Sequence, residues 1–368
     1  MTTKSQSIEL RMLETGGRPS GFDYMRLVLA ILVVCVHSVG TSYGLKADAE
    51  LFQSIFRAPI RMILPMFFTL SGFLVAGSLL RTKTIGMFMG LRAIRIYPAL
   101  TVEVLLSALI IGPFLTQTSL SEYFTSPVFF RYLLNTTGHI SFVLPGVFQN
   151  NPQPITVNSQ LWTVPFELLC YVSLMTLALI GGRKWKIIFP ISAIAFTIAH
   201  FVLRWQSNTL KLLPSGPVSG SLLVISFIIG VAIYMYQDKI HLNFRLFAFS
   251  LISSLLLLDI VPGGDYLATF FIGYITIFIG LSNPKRLKII NGADYSYGIF
   301  LYGFVVQQAV MNTLPWAQHW YLNTIISLLL VTVFAAFSWH YIEKPSLKLK
   351  KVLVNIENKY IANRSKLK

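Results

Sequence analysis

The stretch FDYMRLVLAILVVCVHSVG, residues 22–40, decides the fold class because it is long and apolar enough to cross a membrane as a helix. Arg26 and His37 lie within it, eleven residues apart. At about 100° per residue, eleven steps return the two side chains to within about 20° of one helical face. A rise of about 1.5 Å per residue separates them by about 16 Å along the helix axis.

An arginine and a histidine inside a span are costly, and such residues usually mark a pathway or a reaction site. A simpler interpretation stays open beside this one. In it, Arg26 is a topology signal at the cytoplasmic end of the helix, and His37 ends the helix at the membrane interface.

The composition extends the membrane prediction to almost the whole chain, because 54% of the residues are hydrophobic and the mean hydropathy is +0.65. Apolar runs recur from Tyr24 nearly to the C-terminus, which predicts an all-α polytopic transmembrane helical bundle. We expect a cytoplasmic N-terminal segment over 1–23, a transmembrane domain over 24–344 and a basic cytoplasmic tail over 345–368. The ten predicted spans start near Tyr24, Ala58, Tyr97, Leu161, Ile187, Leu222, Leu246, Ala268, Tyr297 and Tyr321.

The formal charge of +16 would suit nucleic-acid binding, but the distribution of the charge argues against that function. With the N-terminus inside, all but six of the 30 Lys and Arg residues fall on the inner side. This alternation follows the positive-inside rule and predicts that both termini are cytoplasmic. The six on the outer side are Lys46, Arg57, Arg61, Arg131, Arg204 and Lys211.

Several further features narrow the class of protein. No small-residue cleavage site follows the first apolar run, so we expect no removable signal peptide. Cys35 and Cys170 lie in apolar runs and predict neither a disulfide framework nor a metal site. Residues 117–160, rich in Asn, Pro, Thr and aromatic residues, predict an ordered outer loop with a function. No internal repeat is apparent, which argues against an inverted-repeat transporter.

Charged residues on the inner side suggest a phosphate site. Arg92 and Arg95 project onto one helical face and could grip phosphates, although anchoring at the membrane surface explains them as well. Asp23 precedes Arg26 by three residues and could orient its guanidinium. Glu103 lies deep in the third span, and we expect it to have a polar or arginine partner there.

The segment NSQLWTVPFELLCY, residues 158–171, adds a carboxylate on the outer side. The fourth span runs inward, so Glu167 and His37 both fall in the outer half of the membrane. A carboxylate at that depth could hold the imidazole ring of a general base. A structural role for Glu167 at the helix end is the competing interpretation.

Two other patterns have equally good structural explanations. Ser71 and Gly72 in FFTLSGFLVAGSLL predict close helix packing at least as well as a catalytic serine. Aromatic residues of the outer loops could stack on sugar rings, but an interfacial aromatic belt explains most of them too. They are Tyr123, Phe124, Trp205, Trp316, Trp320 and Tyr321.

Taken together, these segments resemble acyltransferase family 3, the membrane-bound O-acyltransferases that modify cell-surface glycans. The resemblance covers nearly the whole chain. It departs from the family pattern at Gly303, where many relatives have a histidine after the aromatic residue, and at Pro165-Phe166 before Glu167. The matching segments are Asp23-x-x-Arg26 with His37, FFTLSGFL from Phe67, RAIRIYP from Arg92, LPGVF from Leu144, LWTVPFE to Glu167, DYSYGIFLYGF from Asp294 and SWHYIEKP to Pro345.

The resemblance implies that acyl-CoA, usually acetyl-CoA, is a cytoplasmic co-substrate, with no permanently bound cofactor and no metal. The acyl group would pass to a hydroxyl of an extracytoplasmic or lipid-linked glycan, in a bacterial inner membrane. The partners would be acyl-CoA, the glycan or lipid-linked oligosaccharide and membrane lipids, with no nucleic acid. The rival hypothesis is a transporter or flippase of acyl groups or lipid-linked sugars, in which the arginines would bind pyrophosphate.

Residue roles follow from the resemblance and the helix geometry together. His37 is expected to be the general base, with Glu167 holding its ring, and a covalent acetyl-histidine is the second choice. Arg26, Arg92 and Arg95 are expected to bind the CoA phosphates. The supporting residues are Asp23, Ser71, Gly72, Glu103, Trp162, Tyr302 and Glu343.

Overall fold

The computed structural model describes residues 6–182, 184–207, 218–287 and 292–366, and it is mostly helical, at 78%, with almost no sheet. Lys211, predicted to lie on the outer side, is outside the described residues, as are Arg183 and Lys288, which were predicted to lie on the inner side. In the described ranges one antiparallel pair joins β1 (Gln6–Ser7) to β2 (His241–Leu242). The α-helices are α1 (Ile8–Glu14), α2 (Ser20–Tyr43), α3 (Leu45–Leu51), α4 (Arg57–Arg81), α5 (Ile85–Leu106), α6 (Gly112–Leu115), α7 (Leu120–Thr125), α8 (Pro127–Leu133), α9 (Val164–Leu177), α10 (Ile188–Gln206), α11 (Gly220–Met235), α12 (Phe244–Ile260), α13 (Gly264–Gly280), α14 (Ser296–Thr313), α15 (Trp320–Phe337), α16 (Lys344–Leu347) and α17 (Lys350–Lys366).

Tighter and wider helical turns interrupt or extend several of these helices. Segments of 3-10 helix cover Leu134–Thr137, Ser159–Thr163 and Pro315–Ala317. Segments of π-helix cover Ser107–Ile111, Ala178–Gly182 and Ser338–Glu343. The first and last π-segments follow directly on α5 and α15, so those helices continue beyond their α-helical parts.

The long apolar helices support the prediction that this is a membrane protein. Among the described residues six helices are long and apolar enough to cross a membrane, and α11 and α13 are shorter apolar helices. Each of the ten predicted spans has a helix at its position, but the count of ten spans and the orientation of the termini stay predictions. The six are Ser20–Tyr43, Arg57–Arg81, Ile85–Leu115, Ser159–Gly182, Ile188–Gln206 and Trp320–Asn363.

The third of these helices begins earlier than its hydropathy suggests. It starts at Ile85 rather than near Tyr97, because Arg92 and Arg95 extend the helix instead of preceding it. Thr84 is its N-cap, and the Thr84 hydroxyl oxygen accepts the Met87 N–H at 3.2 Å.

The chain divides into two compact units. The first unit comprises Met1–Leu29, Ala49–Leu80 and Phe166–Asn291. The second unit comprises Ala30–Asp48, Arg81–Pro165 and Gly292–Lys368.

In the first unit, α4 and α11 pack backbone to backbone. A Cβ atom at Gly72 would collide with the backbone carbonyl of Phe227, and one at Gly230 would collide with the carbonyl of Thr69. The Thr69 hydroxyl also donates to the Ser226 carbonyl at 3.2 Å. The close packing that the small residues around Gly72 predict is therefore confirmed.

Two buried arginines of α4 are neutralised within the first unit. Arg57 lies 3.5 Å from Asp259 of α12, and Arg61 forms a bidentate pair with Asp265 of α13 whose shorter contact is 2.5 Å. Both arginine side chains are 2% exposed, so each charge depends on its carboxylate for compensation.

In the second unit, the predicted loop over 117–160 is ordered. Pro113, just after the π-segment Ser107–Ile111, has no N–H to donate to a carbonyl of that segment. The Ala108 carbonyl, in the same segment, accepts the Tyr123 hydroxyl at 2.8 Å. Burial raises the pKa of Tyr123, which keeps this donor protonated. Further along, Gln308 of α14 donates to the carbonyls of Gln153 and Thr156, both at 2.7 Å. These hydrogen bonds join the loop to the π-segment that follows α5 and to α14.

The C-terminal segment of the second unit is helical. Glu357 of α17 accepts hydrogen bonds from the backbone and the hydroxyl of Thr84, both at 2.7 Å. The Leu353 side chain lies against Gly90 of α5. The predicted basic tail over 345–368 is thus helical and contacts α5, in the part that the structure describes.

Candidate active site

His37 lies on the part of α2 that belongs to the second unit, and a glutamine holds its ring. The Gln160 Nε2 atom is 3.2 Å from His37 Nδ1. Gln160 lies on the 3-10 segment Ser159–Thr163, which leads into α9. The Phe304 ring packs edge-on against the imidazole, with the ring centroids 5.4 Å apart. The imidazole is therefore fixed by one polar and one aromatic contact.

Gln160 is itself held by α14. Its Oε1 atom accepts the Phe304 backbone N–H at 3.2 Å. The missing side chain of Gly303 eases this approach, since a Cβ there would lie tightly at 3.2 Å from Gln160 Nε2 and 3.0 Å from Val34 Cγ2. Gly303, at which the chain departs from the family pattern, thus leaves room for the amide that contacts His37.

A buried carboxylate fixes the start of the same 3-10 segment. Glu103 Oε1 accepts from the Asn158 amide and from the Ser107 hydroxyl, both at 2.8 Å. The Asn158 amide also donates to the Leu301 carbonyl at 2.8 Å. The expected polar partners of Glu103 are therefore Asn158 and Ser107, and Asn158 bridges α5 and α14 two residues before Gln160.

Side-chain hydrogen bonds also fix the face of α2 next to His37. The Ser38 hydroxyl oxygen accepts from Gln307 at 2.6 Å and from Thr324 at 2.7 Å. One turn further along, Asn323 donates to Thr41 at 2.9 Å. All five side chains are buried, so α14 and α15 hold this part of α2 through polar contacts inside the unit.

Two of the three arginines predicted for phosphate binding lie on α5 and have different surroundings. Arg95 pairs with Asp294 and lies 3.8 Å from Glu343, and its guanidinium lies over the Tyr297 ring. The guanidinium of Arg92 lies 5.9 Å from the Phe88 ring centroid. Arg95 is thus compensated by carboxylates at the start of α14 and the end of the last π-segment.

The remaining predicted residues of the second unit lie in its interior. Glu343 accepts from Ser338 at 3.1 Å, within one π-segment. Tyr302 is buried and stacks on Phe334, with the ring centroids 5.8 Å apart. Trp162 is partly buried on the same 3-10 segment as Gln160.

Two of the predicted residues of the first unit have described partners within it. Glu167 accepts the Tyr171 hydroxyl at 2.6 Å. Asp23 pairs with Arg286 at 3.0 Å. Arg26 is partly buried on α2, and Ser71 is partly buried beside Gly72 on α4. The predicted pairing of Glu167 with His37 stays a prediction.

The buried amides beside His37 were not predicted from the sequence. Gln160 and Asn158 lie in NSQLWTVPFE, a segment whose predicted roles went to Trp162 and Glu167. The available signal was a pair of amide side chains at the entry to an apolar span, since a polar group there needs a partner. Among the described residues no group of three or more His, Cys, Asp or Glu side chains could hold a metal ion.

Comparisons with known proteins agree with these observations. A family model described as an acyltransferase domain, that of acyltransferase family 3, matches residues 20–341. The chain is similar to an O-acetyl transferase of Shigella phage Sf6, with 27% identity over 327 residues that cover 88% of this chain and 94% of the relative. It is also similar to nodulation protein 10 of Rhizobium leguminosarum bv. viciae, with 26% identity over 372 residues that cover 92% and 96%. No solved structure matches it. Since the family match spans most of the chain and includes the helix that carries Arg26 and His37, this protein belongs to acyltransferase family 3.

Proposed function

We propose that this acyltransferase is an integral membrane O-acetyltransferase of the bacterial inner membrane. It takes an acetyl group from cytoplasmic acetyl-CoA and transfers it to a hydroxyl of an extracytoplasmic or lipid-linked glycan. The observation that carries the proposal is His37, a partly buried imidazole that the Gln160 amide and the Phe304 ring fix on α2. A positioned imidazole is a common group for acyl transfer to a hydroxyl.

The helix that carries His37 supports the use of a CoA donor. Both Arg26 and His37 lie on α2, a single helix from Ser20 to Tyr43. Their separation of about 16 Å along the axis, from the helical rise, suits a donor whose phosphates bind at one end while its thioester reaches the other. Arg92, on α5, is proposed as a second phosphate contact because charge-assisted hydrogen bonds to phosphate are strong.

The proposed roles in donor binding and in catalysis also include residues that were predicted from the sequence. Arg26 and Arg95 keep their predicted part in donor binding, and Arg95 also compensates Asp294 and Glu343. Glu167 is still proposed as a catalytic residue, but Gln160 makes the contact with Nδ1 of His37. Acyl-CoA is a co-substrate in this proposal and leaves as CoA after each turnover.

The first experiment follows labelled acetyl from acetyl-CoA in purified protein reconstituted in lipid nanodiscs. We expect release of CoA thiol and labelling of a glycan acceptor extracted from cells. His37→Ala should abolish both while acetyl-CoA still binds, because the proposed phosphate contacts lie elsewhere. The matched control is His319→Ala, which removes an exposed histidine and should leave the rate unchanged. Substantial acetyl transfer by a well-folded His37→Ala protein would remove His37 from the mechanism.

The second experiment compares surface glycans from cells with and without this protein by mass spectrometry. Loss of a 42-dalton increment, roughly the mass of one added acetyl group, would identify the acceptor and the acylated position. Glycans that keep all their acetyl groups but accumulate on the wrong side of the membrane would instead favour a flippase.

A further inference from the structure

The amide of Gln160 has one orientation that satisfies its neighbours. A backbone N–H can only donate, so the Gln160 atom that faces Phe304 N at 3.2 Å is the carbonyl oxygen. The amide nitrogen then faces His37 Nδ1 at 3.2 Å. An amide NH₂ group donates and does not accept. His37 Nδ1 must therefore accept a hydrogen bond from Gln160.

This contact determines where the imidazole carries its proton. A neutral imidazole has one N–H, and when Nδ1 accepts a hydrogen bond the proton is on Nε2. We propose that Gln160 is a positioning residue that holds His37 as the Nε2–H tautomer, so that the ring presents a hydrogen-bond donor to the acyl group. This inference rests on the proposed function, since it names the role of His37 within that reaction.

The surroundings of Gln160 oppose the alternative orientation. If the amide were rotated by half a turn, its NH₂ group would face the Phe304 N–H, and two donors would oppose each other. The preceding Asn158 is bonded to both Glu103 and the Leu301 carbonyl at 2.8 Å. The segment therefore cannot shift away from α14 without breaking those bonds. Gly303 adds room for the amide but no polar group that could replace the Phe304 N–H.

The tautomer assigns a definite step to His37. The acceptor hydroxyl oxygen attacks the thioester carbonyl carbon and forms the new C–O bond, while the Nε2–H donates to the carbonyl oxygen as negative charge develops there. The C–S bond then breaks, its electron pair leaves on sulfur, and the hydroxyl proton ends on that sulfur as the CoA thiol. His37 keeps its own proton. A donor aimed at a developing oxyanion typically contributes about 10²–10³-fold in rate.

The expected role as general base requires the opposite tautomer. A base that acts through Nε2 needs its proton on Nδ1, facing a hydrogen-bond acceptor such as a carboxylate. Gln160 offers Nδ1 a donor instead. The substitution Gln160→Glu tests the difference, because a carboxylate could accept from both the Phe304 N–H and a His37 Nδ1–H.

The first test is spectroscopic and needs no substrate. The ¹⁵N spectrum of histidine-labelled protein in nanodiscs is recorded, and His37→Ala identifies the His37 signals by difference. We expect a protonated Nε2 and an unprotonated Nδ1 in the native protein, and the reverse after Gln160→Glu. Gln307→Glu is the matched control, because Gln307 is a buried amide bonded to Ser38 and Val34. A native His37 with its proton on Nδ1 would overturn the inference.

The second test is kinetic. If His37 acts as a donor, Gln160→Glu should lower kcat by about 10²-fold with little change in KM for acetyl-CoA. An unchanged or higher kcat in this variant, with the tautomer reversed, would overturn the inference and favour the base. If the native protein transfers no acetyl group, the proposed function fails, while the tautomer remains readable from the spectrum.

Discussion

Arg95 and Arg92 illustrate how two identical side chains on one helix can differ in their surroundings. Arg95 is paired with Asp294 and lies 3.8 Å from Glu343, so removing it would strand two carboxylates inside the protein. Loss of activity in an Arg95 variant would therefore report folding as well as binding. Arg92 is therefore the arginine chosen to test donor recognition, and its guanidinium lies 5.9 Å from the Phe88 ring centroid.

We expect Arg92→Ala to weaken acetyl-CoA binding by about 1.5–3 kcal/mol, the usual contribution of a hydrogen bond to a charged group. Isothermal titration calorimetry of the reconstituted protein measures the change. Arg81→Ala is the control, since Arg81 is an exposed arginine at the end of α4 and its loss changes the net charge equally. Equal donor affinity in the two variants would assign Arg92 to membrane anchoring.

At the scale of elements, packing between helices replaces the hydrophobic effect that drives soluble folds. Helices in a bilayer gain little from leaving lipid, so close contact of small residues and interhelical hydrogen bonds hold them together. Gly72 and Gly230 show the first device between α4 and α11. Asn158, which bridges α5 and α14, shows the second.

Gly72→Ala should destabilise the protein by about 1–3 kcal/mol, because the added methyl group would collide with the Phe227 carbonyl and force the helices apart. A thermal unfolding curve in detergent measures the loss. The matched control is Gly86→Ala, on α5, where the new methyl group would meet no atom within 4 Å. That substitution should be neutral or stabilise the helix by up to about 1 kcal/mol. Equal stability of both variants would contradict the packing at Gly72.

At the scale of the whole molecule, the distribution of Lys and Arg predicts an orientation that the helices alone do not supply. Both termini and the connection GGRKWK over 181–186 are predicted to be cytoplasmic, and the loop over 117–160 extracytoplasmic. In the proposed function, this orientation lets a cytoplasmic donor and an extracytoplasmic acceptor meet at His37.

Single cysteines in a background without Cys35 and Cys170 test that orientation. Asn150 and Lys184 are both exposed, so a cysteine at either position is open to reagents. We expect Asn150→Cys to react with a membrane-impermeant maleimide in intact cells and Lys184→Cys to react only after permeabilisation. The reverse pattern would show the opposite orientation in the membrane and would overturn the proposed direction of acetyl transfer.

The sequence by itself determined the helical membrane class, the family and the positions of Arg26 and His37 on one helix. Hydropathy and charge act locally, so runs of apolar residues and the basic connections between them can be recognised without a structure. The same local information placed a helix at each predicted span and identified the small residues of α4. It placed the third span near Tyr97, whereas α5 begins at Ile85, because arginines within a helix lower its local hydropathy.

Only the tertiary structure decided which groups surround His37. Gln160 is 123 residues from His37 along the chain, and its other partner, Phe304, is 144 residues further on. Nothing local in the sequence relates these three positions. A buried polar group takes whichever partner the packing of helices brings within about 3 Å. The tautomer of the imidazole, and with it the role of His37, therefore depends on the packing of α2, α14 and the segment before α9.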